Sequence, residues 1–428
     1  MQMSVHASTG KWMWIMAERY YHPDYRKAEV SQIVGALDQG LSVSVIGAPS
    51  VGKSNLLKFL DQERLLATDP ASPWVRYAPN TTHRGTIVAV TLDPNALLPP
   101  LPDERGGVAA GAWPGFELLI HRTATTPQLY PTYQSSLYQT TDSDLIRQVA
   151  RLQEQFENAH PEVADFADSL HGHLALRHLE SILEATLECH RIQGTPIRIA
   201  YVIDEFERML DTLPDYFFVA LRSVRDRFKY QVMFVTFTRN SLPYLIGEGE
   251  RMLALEPFVE LFHDSTVYLG PFGDDDVWRV IEQLEDRTVS KEDRGLGLLI
   301  RASGSIAGLL RAGFKHADKL SQVQGQDYPS AVELAASRLV AESNVQAECK
   351  TLLRGLNEDE IKTLYGVSEQ RANLNQDTVR ELLNKSLLTQ ATAGGVIRVS
   401  PPVLAAYIRN HPTPPPAPPP TRPVTMPR

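Results

Sequence analysis

Residues Gly47 to Ser54 read GAPSVGKS. They follow the apolar run LSVSVI at 41–46 and precede NLLKFL, in which Leu56, Leu57, Phe59 and Leu60 recur at helical spacing. The pattern is G-x-x-x-x-G-K-[S/T], a glycine turn between a strand and a helix. It constrains the chain more than any other feature, because it needs a sheet behind it and a helix starting at its lysine. Gly47 and Gly52 let the backbone wrap with its N–H groups inward, which cradles phosphate. Lys53 is placed to reach the β- and γ-phosphates and Ser54 to set its hydroxyl on Mg2+, with the helix N-terminus adding positive potential. The predicted nucleotide-binding segment is therefore Gly47, Ala48, Pro49, Ser50, Val51, Gly52, Lys53, Ser54 and Asn55.

A phosphate loop needs a second acidic site for magnesium. IRIAYVIDEFERML at 197–210 supplies Asp204 and Glu205 at the end of a nearly all-apolar strand. Asp204 is expected to hold the metal through water, and Glu205 to orient or deprotonate the attacking water. Paired carboxylates suit an ATP hydrolase of the additional-strand type, and no guanine-reading N-K-x-D follows the loop. A third apolar run, QVMFVTF at 231–237, delivers Thr238, Arg239 and Asn240. The guanidinium fork of Arg239 can hold a pair of phosphate oxygens; a solvated charge after a strand is the plainer alternative.

The 428 residues suggest two or three domains. Strand-like runs at 41–46, 86–92, 197–203 and 231–237, with a weaker one at 265–269, alternate with helical patterns at 143–157, 174–192 and 214–228. That alternation predicts an α/β fold with a parallel sheet. LPPLPDERGGVAAGAWPG at 98–115 reads as an exposed loop, and 98–196 as a region holding helical insertions between the motifs. The expected organisation is an N-terminal extension at 1–22, an ATPase core at 23–270, a helical lid at 271–345, a small domain at 346–410 and a Pro-rich tail at 411–428.

Two cysteines far apart exclude a disulfide framework or a cysteine zinc site. No run approaches a membrane span and the N-terminus lacks signal-peptide features, so a cytoplasmic protein is expected. A net charge of −9 argues against wholesale nucleic-acid binding. His171, His173, His178 and His190 lack a metal-site pattern and read as surface or capping residues. Arg222, Arg225, Arg227 and Arg251 read as helix-surface salt-bridge partners, so no arginine finger is assigned.

Taken together, GAPSVGKS, VIDEFERML, VTFTRN and Leu269-Gly270-Pro271-Phe272 resemble the STAND branch of AAA+ ATPases, the signal-transduction ATPases. The resemblance covers about 20–410 and implies an AAA+-like sheet, ATP and Mg2+ as ligands, Thr238-Arg239 at the third strand end, and Pro271 packed against the nucleotide. Tyr25 to Glu29 resembles the family's G-R-E-x-E entry motif, which implies an adenine-side nucleotide contact from Arg26; it keeps Arg26 and Glu29 and lacks the glycine and first glutamate. ASGSIAGLLRA at 302–312 resembles the lid helix, with Ala307 where a sensing arginine often stands and Arg311 nearby. In the 350–410 stretch, helix, helix, a turn at Ala393-Gly394-Gly395 and a closing helix resemble a winged helix, whose second helix would offer Arg380 and Lys385 to DNA. Eight basic against six acidic residues there favour a lid or protein-docking role. The expected function is an ATP-hydrolysing switch controlling a protein partner or self-assembly; the alternative is an origin-recognition- or transposition-regulator-like ATPase that binds DNA as an oligomer.

Overall fold

The computed structural model describes residues 21–61, 77–78, 84–97, 111–126, 128–129, 164–285, 289–325, 327–371, 374–390 and 395–413. The N-terminal extension up to residue 20, the 98–110 part of the turn-rich segment, the helix expected at 143–157, the side chain of His171, the hairpin tip at 391–394 and the tail from 414 lie outside the described residues.

In chain order the first half holds α1 (Lys27–Asp38), β1 (Val43–Ile46), α2 (Lys53–Asp61), β2 (Thr86–Leu92), α3 (Trp113–Thr125) and α4 (Ala164–Ile192). Then come β3 (Ile197–Ile203), α5 (Phe206–Thr212), α6 (Asp215–Arg227), β4 (Val232–Thr238), α7 (Leu242–Ile246), α8 (Glu250–Val259) and β5 (Thr266–Tyr268). A helical stretch follows: α9 (Asp274–Glu285), α10 (Arg294–Ser303), α11 (Ala307–Phe314), α12 (Ala317–Leu320), α13 (Tyr328–Val340) and α14 (Ser343–Arg354). The last part is α15 (Glu358–Ser368), α16 (Gln376–Asn384), an antiparallel hairpin of β6 (Leu388–Gln390) and β7 (Ile397–Val399), and α17 (Pro402–Asn410).

The five long-range strands are all parallel, in the order β2-β3-β4-β1-β5. β4 therefore separates the phosphate-loop strand β1 from the acidic strand β3, the additional-strand arrangement. Pairing of Ile46 with Thr238 and of Ile203 with Thr236 brings the three strand ends to one carboxyl edge. Open α/β sheets bind ligands at that edge.

Both faces of the sheet are covered, so β1, β3 and β4 are buried at every position. Alternate residues serve two cores. Ile199, Tyr201, Ile203, Val232 and Phe234 pack with α3, α4 and α6, whereas Ala200, Val202, Met233, Val235 and Phe237 pack with α1 and the helices after β5. The second core runs on without a break from Leu352 and Leu353 of α14 through Leu364, Leu382 and Leu404, so the C-terminal module packs onto the lid helices and into the body of the molecule.

β3 carries one charge, Arg198, only 1% exposed. It donates to the carbonyls of Gly85 at 3.0 Å and Asp38 at 2.8 Å and pairs with the Asp38 carboxylate at 2.8 Å. The guanidinium thereby satisfies the C-terminal carbonyls of α1, which explains a charge in an otherwise apolar strand.

Candidate nucleotide-binding site

The loop leaves β1 through a hydrogen bond from Gly47 N to Thr238 O (3.0 Å), which fixes its origin to the neighbouring strand. Two residues then take left-handed backbone, Ser50 (φ 63°) and Gly52 (φ 102°). Gly52 does so without a Cβ penalty, while Ser50 is strained and held by tertiary contacts. Its carbonyl accepts from Gly308 N at the start of α11 (2.9 Å), and its hydroxyl donates to the Glu348 carboxylate of α14 (2.7 Å).

Lys53 opens α2 and donates to the loop carbonyls of Gly47 (2.5 Å) and Ala48 (3.2 Å). Burial lowers its pKa to about 8; the Glu207 carboxylate pulls it back up and Arg239 pushes it further down. A lysine poised this low is one whose charge is poorly solvated, and so one that gains much from an anion.

Asp204 and Glu205 follow β3 as expected. The Asp204 carboxylate accepts from Glu205 N (2.9 Å), and burial raises its pKa in spite of that bond. Glu205 has φ 41° and turns its carboxylate toward two cations, Arg208 at 3.0 Å and Arg239 at 3.8 Å. Arg208 is in turn held by Asn95, beyond the end of β2. A third acid, Glu207, stands on the first turn of α5; its pKa is raised by burial, and its Oε1 accepts from Arg239 N at 2.5 Å.

One cavity of about 720 Å³ joins these groups. Pro49, Ser50, Gly52, Lys53, Ser54 and Asn55 of the loop line it together with Asp204, Glu205, Glu207 and Arg239 after β3 and β4, and Ala307, Gly308, Arg311, Lys315, Asn344 and Glu348 of the lid helices. The Ser54 hydroxyl and Asp204 carboxylate are hard oxygen donors on one cavity, a set that fits Mg2+. Among the described residues, no cluster of three His, Cys, Asp or Glu forms a separate metal site.

Two expected residues lie behind this cavity and do not line it. Arg26, 2% exposed, packs its guanidinium 4.5 Å from the Phe272 ring centroid and donates to Val51 O (2.5 Å) and Gly270 O (3.1 Å). It buttresses the phosphate loop from behind. Pro271 is not in the lining either; its neighbour Phe272 donates its N–H to Ser305 O (3.0 Å), which ties the end of the sheet to the lid helices.

Glu207, Lys315 and Glu348 were not expected from the sequence. Glu207 stands in VIDEFERML three residues past Asp204, with nothing local to set it beside the paired carboxylates. The lid residues carry no sequence signal, because they meet the loop from about 250–300 positions away. Of the histidines, His173 is exposed as expected and stacks on Tyr216, whereas His190, expected at the surface, is buried with its Nε2 2.7 Å from Leu129 O.

The fold and the loop define a P-loop protein of the α/β class. No known protein family matches the chain as a sequence profile, and no curated protein sequence matches it. Solved structures are similar to it. The Walker-type ATPase PABY2304 of Pyrococcus abyssi is 13% identical, with a TM-score of 0.44 over 90% of this chain and 95% of that one. The Aeropyrum pernix ORC2 protein, in ADPNP–ADP complexes, is 14% identical with a TM-score of 0.42 over 92% and 95%. The Aeropyrum pernix ORC1 protein in complex with DNA is 12% identical with a TM-score of 0.35 over 93% and 96%. Among the described residues no helix is long and apolar enough to cross a membrane.

Proposed function

We propose that the protein binds and hydrolyses Mg-ATP and uses the nucleotide to set the arrangement of its lid and C-terminal module. One observation carries the proposal: the loop lysine, the two strand-end acids, Arg239 and the lid helices line a single cavity. Lys53 and the loop N–H groups would hold the phosphates, Arg239 would bear on the terminal one, and Glu205 would take the proton of the attacking water. Ser54 and Asp204 would hold Mg2+, which supplies charge neutralisation on the phosphates when bound. Before it can act, Glu205 must leave Arg208 and Arg239, so the charge on the substrate and the release of the base are linked.

Two finer readings follow from this one. In the first, a STAND-like switch, the lid and the C-terminal module change angle with the nucleotide and expose a surface for a protein partner or for self-assembly. In the second, an origin-recognition-like ATPase, the C-terminal module acts as a winged helix on DNA, and the similar solved structures carry names from that group. Arg380 on α16 is exposed, which suits the second reading. Lys385 is buried in an ion pair and could not reach DNA without undocking. The deciding measurement is ATP turnover with and without duplex DNA, with Glu205→Gln as the blank. Turnover raised strongly by DNA supports the second reading and ends the first. Slow turnover indifferent to DNA supports the first, and turnover unchanged in the blank refutes the proposal.

A further inference from the structure

The lid presses a negative charge onto the phosphate loop. Glu348 Oε2 accepts from Ser50 Oγ at 2.7 Å, and the two residues are 298 positions apart in the chain. The contact is built around glycines: a Cβ on Gly308 would sit 2.5 Å from Glu348 Oε2 and 2.5 Å from Ser50 Cβ. On Gly355, just past α14, a Cβ would lie 2.0 Å from Pro49 Cγ. Gly308 N also holds Ser50 O at 2.9 Å, and Asn344 at the start of α14 donates to Ala312 O of α11 at 2.5 Å. Two helices are thus locked together over the turn of the loop, with a carboxylate at the point of contact.

Ser50 belongs to the turn whose backbone cradles phosphate, so a polyphosphate bound there lies close to Glu348. Repulsion between like charges grows with each phosphate added. The cations on the lid side of the cavity, Arg311 and Lys315, are solvent-exposed and make no ion pair among the described residues, so they are available to an anion but screened by water.

Resting on the ATP-binding reading above, we propose that Glu348 is a nucleotide-selecting residue, which disfavours the triphosphate relative to the diphosphate while α14 sits on the loop. A chain loaded with ADP keeps α14 docked. ATP is accepted at the cost of that contact, so the phosphate count is read by the lid directly.

The test is the ratio of ATP to ADP affinity, measured by titration calorimetry in Mg2+ on the full chain. Glu348→Gln keeps the acceptor for Ser50 and removes the charge. One charge removed at several ångströms through a half-solvated medium shifts the ratio toward ATP by about tenfold. Gly308→Ala, which forces Ser50 and Glu348 apart, is expected to shift it in the same direction. A ratio unmoved in Glu348→Gln, while Lys53→Ala loses both nucleotides, overturns the selection and leaves the ATP reading standing. Equal binding in Lys53→Ala and the unaltered chain, or no binding by either, overturns both.

Discussion

Asn240, two residues past β4, accepts a hydrogen bond from the ammonium of Lys385 at 2.7 Å, although 145 positions separate them. The same nitrogen pairs with Glu360 at 2.5 Å, and both side chains of that ion pair are wholly buried. Glu360 is itself fixed by a capping box at α15: its N–H donates to Asn357 Oδ1 and its second oxygen accepts from Asn357 N. The C-terminal module is thereby bolted to the end of the strand that delivers Arg239. Tyr268 at the end of β5 adds a second tie, donating to Glu381 of α16 at 2.9 Å.

Removing one member of such a pair strands the other charge without water. Lys385→Met is expected to destabilise the chain by about 3–5 kcal/mol, and the double change Lys385→Met with Glu360→Gln to recover much of that loss. Chemical unfolding followed by tryptophan fluorescence measures both. Equal midpoints for the single and double variants would show that the charge pair is not what binds the module.

Arg26 buttresses the phosphate loop through Val51 O and Gly270 O. Arg26→Lys keeps the charge but not the fork that reaches Val51 O and Gly270 O together, so it is expected to behave much like Arg26→Ala. Both should lower stability by on the order of 3 kcal/mol and weaken ATP and ADP by similar factors. A loss confined to one nucleotide, with stability intact, would mean that Arg26 touches the ligand.

The low pKa of Lys53 gives the affinity a pH dependence of known sign. Its ammonium form binds phosphate, and bound phosphate raises its pKa. Below about 8 the lysine is charged in the free protein and its contribution is constant. Above that value a proton must be taken up on binding, so ATP affinity falls by up to about tenfold per pH unit until the pKa of the bound state is reached. Affinities measured from pH 7 to 10 check the break point, and a flat profile across that range removes Lys53 from the phosphate site. Glu207 is the main group holding this pKa up, so in Glu207→Gln the break should move to lower pH.

The sheet was legible because β-branched runs such as TIVAVTL and IRIAYVI cannot be mistaken for surface helices, and β2 and β3 occupy the residues expected. The loop and the strand-end acids were legible for a different reason: each is a contiguous string whose geometry follows from its own backbone. What failed to show was everything that depends on distant residues. The helix expected over 174–192 starts ten residues earlier, at Ala164, and runs straight through Gly172; a Cβ there would fall 1.7 Å from Tyr216 Oη, so close packing explains that glycine. Lys385 reads as a charge that the second helix of a winged helix would offer to DNA, since nothing local shows that Glu360 and Asn240 close over it. Glu348 likewise gives no sign in its own helix that it ends on the phosphate loop.

The acids of the strand end differ in their partners. Glu205 faces the cavity between two arginines, while Glu207, in the same lining, is occupied by Arg239 N. Glu205→Gln should therefore lower turnover by about 10²–10⁴-fold, the usual worth of a general base, and leave ATP affinity within a few-fold. Glu207→Gln keeps an acceptor for Arg239 N, so it should cost far less in turnover at neutral pH, while removing the charge that supports Lys53. Single-turnover hydrolysis beside equilibrium binding tells the two apart. Should Glu207→Gln lose as much chemistry as Glu205→Gln with binding intact, the water-activating role passes to Glu207, and the arginine-held Glu205 becomes a surface ion pair.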